Sequence, residues 1–413
     1  MKKTLLILFS ASFTAAWGQT TKSALFLGNS YTAVNNLPNL VWNMAESTGD
    51  SLIYDSNTPG GFTFQGHSTN TTSLTKIMAG TWDYVVLQEQ SQLPSFPDAQ
   101  VQSDVYPYAR RLNDTIRKYH ECAETVFYMT WGRKNGDASN CSVWPPVCTY
   151  QGMDSLLRLR YEYMADDNQG ILSPVGAAWR YARTHHPTID LYSADESHPS
   201  AAGSYLAACS FYTVIYRKDP SLIAWDYSLS STDADILRQV AKAVVYDSLT
   251  NWNVGKYDPV AGFNSNIVSG LEYEFQDASI YSDSVSWNFG DGTTANGNYV
   301  THTYPADGTY LVTQIVTYCQ YSDTAYYSLT INTTSVLEKD KANIHIYPNP
   351  GNGTFIVTAP NTTEYSIFNA IGQAVCSGLF KPGEQTLNLA DPAPGIYFLK
   401  TDNSTYRLVI SKP

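Results

Sequence analysis

The sequence is short of charge. Only 15% of its 413 residues are Asp, Glu, Lys or Arg, and cations are the scarcer sign, 25 Lys and Arg against 37 Asp and Glu, for a net charge of -12. Such a surface cannot neutralise phosphates or anionic headgroups, so nucleic acid is excluded as an expected partner. Long apolar runs are missing too: the stretch from Leu5 through Phe13 falls far below the roughly 20 residues of a membrane span, and none later comes closer. That stretch follows Lys2 and Lys3 and precedes Ala16, Trp17 and Gly18, the order of a signal peptide cleaved after Gly18 (residues 1–18). Cysteine is sparse. Six are too few for a disulfide-built scaffold, but Cys141 and Cys148 flank a short S-V-W-P-P-V loop where an oxidising compartment favours a bridge, while Cys209 in an apolar helical stretch reads as a buried thiol. No spaced Cys/His cluster calls for zinc, and His185 and His186 before Pro187 read as helix C-terminal caps, so neither a metal nor a cofactor is expected. What is plentiful is aromatic and neutral polar: 31 Tyr and 9 Trp among many Ser, Thr and Asn, a composition suited to an exported, carbohydrate-rich setting.

At roughly 100 to 200 residues per domain, this length predicts two or three domains. From residue 19 to 256, strand-like runs alternate with helix-period stretches, the pattern of a parallel sheet covered on both faces. The strands read as Ala24 to Gly28, Ser51 to Asp55, Tyr84 to Gln88, Thr125 to Thr130 and Ile189 to Tyr192. Between the first two, Leu37, Leu40, Val41 and Met44 recur on one helical face; further helices are expected at Val101 to His120, Gly152 to Met164, Ala201 to Tyr216 and Thr232 to Leu249. The fold class is α/β, a flavodoxin-like three-layer domain. After residue 256 helical periodicity gives way to short alternating strands and Gly, Asn, Asp and Pro turns, which predicts two small all-β sandwiches, residues 257–333 and 334–413, the second opening with a polar linker.

Ligands of an open parallel sheet bind beyond the carboxyl ends of its strands. The first strand ends in Gly28, Asn29, Ser30, Tyr31, where Ser30 would stand at a helix start, as a cap or as a nucleophile. Beyond the last expected strand come Asp195, Glu196, Ser197 and His198. Residues three apart in one helical turn face the same side, so Asp195 could orient His198 toward Ser30; the alternative is a capping segment with an exposed histidine. As an ordered pair, the two segments resemble the end blocks of the SGNH hydrolases, the GDSL-type esterases, over residues 22 to 250. The resemblance implies a serine nucleophile at Ser30, an Asp195–His198 pair, and an oxyanion hole from the Ser30 amide, Gly61 in the Thr58-Pro59-Gly60-Gly61 turn, and Gln90 where the family has asparagine. Asn29 stands where the family has aspartate. One branch of that superfamily carries L-G-N-S-Y-T, P-G-G, L-Q-E-Q-S, T-W-G and P-V-G, all present here at Leu27–Thr32, Pro59–Gly61, Leu87–Ser91, Thr130–Gly132 and Pro174–Gly176. His67, Glu89 and Trp131 are candidates to line the pocket or to serve the structure.

Trp287-Asn288-Phe289-Gly290-Asp291-Gly292, followed by His302-Thr303-Tyr304, resembles the PKD domain, which implies a spacer or a weak contact with glycan or protein. Ile346-Tyr347-Pro348-Asn349-Pro350 with Gly395-Ile396-Tyr397 near the end resembles the type A sorting domain of the type IX secretion system, found in Bacteroidota; the implied destination is the cell surface or the medium. The combined expectation is a secreted serine esterase acting on acyl or acetyl esters of a carbohydrate, with the secretion machinery as its other partner. Two alternatives stay open, a non-catalytic glycan-binding protein on a hydrolase fold and an acyltransferase.

Overall fold

The computed structural model describes residues 19–333, 344–370, 372–390, 392–401 and 404–411. The expected signal peptide and most of the expected polar linker lie outside these residues. The chain divides into two compact units at Tyr257 and Asp258.

The first unit is built on five parallel strands, β1 (Thr21–Leu27), β2 (Ser51–Asn57), β3 (Tyr84–Leu87), β4 (Glu124–Tyr128) and β5 (Ile171–Ser173), in the order β2-β1-β3-β4-β5. This is the flavodoxin-like order, with helices on both faces. Double coverage explains why Ala24-Leu25-Phe26-Leu27 and Tyr84-Val85-Val86-Leu87 read as continuous apolar runs: every one of these residues is buried. The helices are α1 (Ser30–Ala33), α2 (Leu37–Ser47), α3 (Phe64–His67), α4 (Thr71–Met78), α5 (Asp98–Asp104), α6 (Tyr106–Tyr119), α7 (Tyr150–Asp167), α8 (Val175–His185), α9 (Ala201–Tyr216) and α10 (Ser231–Val244). Leu37, Leu40, Val41 and Met44 do form the buried face of α2. In β1, Leu27 pairs with Asn57 of β2 and Leu87 of β3. That register brings the loops after all three strands to one level at one edge of the sheet, where their side chains can meet.

Three expectations are corrected. The fifth strand is Ile171–Ser173, not Ile189 to Tyr192; the latter segment makes a single bridge from Tyr192 to Pro199 and belongs to the loop before α9. Val101 to His120 is two helices, α5 and α6, because Pro107 has no amide to continue a helix but fits the first turn of a new one. Helix α10 stops at Val244, and the chain tightens into a 3-10 turn over Tyr246–Trp252.

In the second unit the described strands pair antiparallel, with one isolated parallel bridge between Gly351 and Ile410. Between Phe263 and Ile331 a three-stranded and a four-stranded sheet enclose a core of Phe275, Val285, Trp287, Phe289, Val312 and Val316. Between His345 and Ile410 a second such pair encloses Phe355, Val357, Ile367, Leu399 and Leu408. Each region therefore buries its own apolar side chains.

Candidate active site

Gly28 ends β1 where a side chain would have no room, since a Cβ there would lie 2.5 Å from Thr32 Oγ1 and 2.7 Å from Gln88 Oε1. The chain turns, Asn29 caps α1 by accepting from the Tyr31 amide (3.1 Å), and Ser30 becomes the first helical residue. At that position its amide has no partner inside the helix. Neither the Ser30 amide nor the Gly61 amide donates to another group among the described residues.

Ser30 Oγ lies 2.8 Å from His198 Nε2, and His198 Nδ1 is hydrogen-bonded to Asp195 Oδ2. The three side chains thus form one hydrogen-bonded chain from hydroxyl through imidazole to carboxylate. The Asp195 to His198 segment is a tight turn and not the helical turn expected: Asp195 Oδ1 accepts from the amides of Ser197 (3.1 Å) and His198 (3.0 Å), with Glu196 at φ +61°. The little desolvation this exposed carboxyl undergoes would by itself raise it, but the hydrogen bonds from the His198 ring and those two amides outweigh this and hold it below the usual carboxylate range. It is therefore the charged partner that an imidazolium needs.

The turn is fastened by Trp131, which the sequence offered as a pocket or structural residue, and by neighbours that sequence reasoning gave no role. Trp131 Nε1 donates to the Ser197 carbonyl (3.1 Å), Tyr31 Oη shares a 2.7 Å hydrogen bond with Ser197 Oγ, and the Lys134 amide donates to the Glu196 carbonyl (2.9 Å). Asn35 Nδ2 reaches the Ser200 carbonyl (3.2 Å) and Ser204 Oγ (2.9 Å). Trp131 itself is stacked between Tyr31 (4.8 Å) and Trp179 (3.7 Å). Such aromatic pairs contribute about 0.5–1.5 kcal/mol beyond area burial. The sequence signal for Tyr31 and Trp131 was their place inside the motif blocks.

A buried network braces the Ser30 turn from beneath. Gln88 Oε1 accepts from the Asn29 amide and from Thr32 Oγ1, both at 2.9 Å, while its Nε2 donates to Asn29 Oδ1 (2.9 Å). Asn29 Nδ2 donates to the carbonyls of Phe62 (2.9 Å) and Glu89 (3.4 Å). An aspartate could not make these two bonds, which gives the departure at position 29 a physical reason.

His67, Glu89 and Trp131 are fully buried, so they lie under the site and form no open pocket wall. The His67 ring bridges Ser73 Oγ (2.7 Å) and the Gly28 carbonyl (2.9 Å), and burial pulls its pKa down to about 4, so the ring is a neutral strut near pH 7. The Gln90 carboxamide is engaged in its own turn: Oε1 accepts from the amides of Gln92 (2.8 Å) and Leu93 (3.0 Å), and Nε2 donates to Gln92 Oε1 (3.1 Å). Cys141 and Cys148 are disulfide-bonded and Cys209 is buried. His185 Nδ1 bonds the Tyr181 carbonyl at the end of α8. Among the described residues no group of three His, Cys, Asp or Glu could hold a metal ion, and no helix is long and apolar enough to cross a membrane.

Two segments match known families. Residues 257–332 match the PKD domain, and residues 345–412 match the secretion system C-terminal sorting domain, which marks the chain for export. No curated protein matches the chain. Among solved structures, the first unit is similar to a DUF4886 family protein from Bacteroides uniformis, 16% identical over 56% of this chain and 95% of that one, with a TM-score of 0.47. A candidate SGNH hydrolase from Slackia heliotrinireducens is 26% identical over 47% and 98% (TM-score 0.39), and the psychrotrophic esterase EstA from Pseudoalteromonas sp. is 14% identical over 48% and 97% (TM-score 0.34).

Proposed function

We propose that the protein is an exported serine esterase of SGNH type. The observation that carries this reading is the 2.8 Å contact between Ser30 Oγ and His198 Nε2, with Nδ1 held by Asp195. In the proposed reaction, His198 Nε2 takes the Ser30 proton as Oγ attacks the ester carbonyl carbon, and Asp195 stabilises the imidazolium. The amides of Ser30 and Gly61 receive the oxyanion. The carboxamide nitrogen of Gln90 has two hydrogens and gives one to Gln92, so the other is the third donor in this scheme. The imidazolium then protonates the leaving alkoxide, and water, deprotonated by the same ring, releases the acid from the acyl-enzyme.

The substrate class we propose is an acyl or acetyl ester on a carbohydrate, on the ground that the chain is tyrosine-rich, low in charge and exported with a PKD domain. Delivery falls to the type IX secretion machinery, acting on the C-terminal sorting domain. The test is covalent labelling of the purified protein with a fluorophosphonate, mapped by peptide, beside hydrolysis of a chromogenic acetate. Labelling at Ser30, and loss of several orders of magnitude of rate in Ser30→Ala, is expected. No labelling would favour a glycan-binding protein without catalysis, and product appearing as a new sugar ester in place of free acid would favour acyl transfer.

A further inference from the structure

Glu89 is an acid that the proposed reaction does not use, fully buried at the end of β3. Its carboxyl accepts the Phe64 amide on both oxygens (3.1 and 3.0 Å) and the Gln90 amide on Oε1 (2.6 Å). Phe64 lies three residues after Gly61, and Gln90 is the next residue in the chain. One carboxyl thus joins the segment after β2 to the loop after β3, which carry two of the three proposed oxyanion donors, Gly61 and Gln90. Asn29 completes the frame, reaching from the loop after β1 to the carbonyls of Phe62 and of Glu89 itself.

A buried acid without a counter-cation is costly to keep, and an apolar residue would fill the space more cheaply if packing were all that mattered. We infer that Glu89 is a positioning residue for the oxyanion hole, fixing the Gly61 loop relative to Gln90 and, through Asn29, to Ser30. The inference rests on the esterase reading and deepens it. Hydrogen-bond donors stabilise a developing oxyanion only when they are held in place before it forms, so a clamp of this kind acts on the chemical step and not on substrate affinity.

The experiment compares the full-length protein with Glu89→Asp and Glu89→Gln. The aspartate withdraws the carboxyl by one methylene and cannot span both amides; the glutamine keeps one acceptor oxygen at the original reach. Glu89→Asp should lower kcat on the chromogenic acetate by about 10²-fold, the size seen for small misplacements of a site, with KM little changed. Glu89→Gln should recover a large part of that loss. Asp50→Asn is the control for stability alone, since Asp50 is equally buried but pairs with Lys218 at the other edge of the sheet, just before β2. Unchanged kcat in Glu89→Asp overturns the inference, as does a loss confined to KM, or an equal kcat loss in Asp50→Asn at matched Tm.

Hydrogen exchange over residues 60–68 and 88–93 supplies a readout independent of turnover. Faster exchange in both segments of Glu89→Asp, absent in Asp50→Asn, is expected even if the acetate proves a poor substrate, and unchanged exchange refutes the clamp. Failure of the esterase reading shows separately, as wild-type protein that neither labels at Ser30 nor hydrolyses esters.

Discussion

At the scale of single residues, the site depends on groups that never touch solvent. Burial pushes the Glu89 carboxyl up to about 8, against the opposing pull of the Gln90 and Phe64 amides. In the unfolded chain the same group ionises near 4.5. The folded state therefore binds a proton that the unfolded state releases between those values. Glu89 favours folding fully below about pH 4.5, and that advantage is lost as pH rises toward 8. Glutamine does not titrate. The Tm difference between wild type and Glu89→Gln, followed by calorimetry from pH 4.5 to 8, should accordingly move against the wild type as pH rises; a flat difference would mean that Glu89 stays ionised in the fold. No charge pattern in the sequence marks this residue out; Glu89 follows the expected strand Tyr84 to Gln88 in a polar string, and only its place in the L-Q-E-Q-S block made it a candidate. The meeting of Ser30, Asp195 and His198 was legible for the opposite reason: a serine, an acid and a histidine are chemically specific as a set, and they stand after a buried strand and before a long helix. Asn35 and Gln88 were not, since amides that only brace a backbone carry no such signature.

At the scale of elements, four of the five strands could be read: β1, β3 and β4 are buried runs of several residues, while β2, at the sheet edge with only Leu52 buried, was read from its place between a helical stretch and a Pro-Gly-Gly turn. Strand β5 could not. It has three residues, Ile171 to Ser173, lodged between two helices, too short to set any period. Leu191 and Tyr192 are just as buried, so apolarity alone favoured the wrong segment. The better clue was the P-V-G block that follows β5. Gly176 donates its amide to the Met129 carbonyl (2.9 Å), and a Cβ on it would lie 2.2 Å from the Thr130 carbonyl oxygen. The glycine lets α8 start hard against the end of β4, which leaves little length for the strand before it. Gly176→Ala should force α8 outward and cost about 1–3 kcal/mol, the range for overpacking a tight interior, measured as a fall in the denaturation midpoint. Because Trp179 on the same helix stacks on Trp131, which in turn holds the Ser197 carbonyl, kcat should drop as well; a variant as stable as wild type would show that the helix tolerates the shift.

At the scale of the whole molecule, the proposed chemistry and the sorting domain fall in different units. The first unit has its own apolar core, and so does the sandwich that matches the sorting domain. A chain ending at Asn332 loses only that last sandwich and the stretch leading into it. It should be fully active when purified and should fail to leave its native host, as fractionation with an esterase assay on each fraction will reveal. Export of the shortened chain at the normal level would remove the sorting role; loss of activity in the purified protein would mean that the last sandwich supports the first unit.

The separation of Ser30 from its base by 168 positions has a bearing on how the protein is made. Chains grow at about 5–20 residues per second, so roughly 10–30 s pass between the synthesis of the serine and that of the imidazole that activates it. Through that interval the nucleophile is an ordinary alcohol. A ribosome that stalls between Ser30 and the Asp195 turn, or a protease that cuts the growing chain there, yields a fragment with the serine and without the histidine. On the esterase reading proposed above, reactivity toward the cell's own esters is deferred until almost the whole first unit exists, and it arrives in one step, because Asp195 and His198 come together on the same few residues.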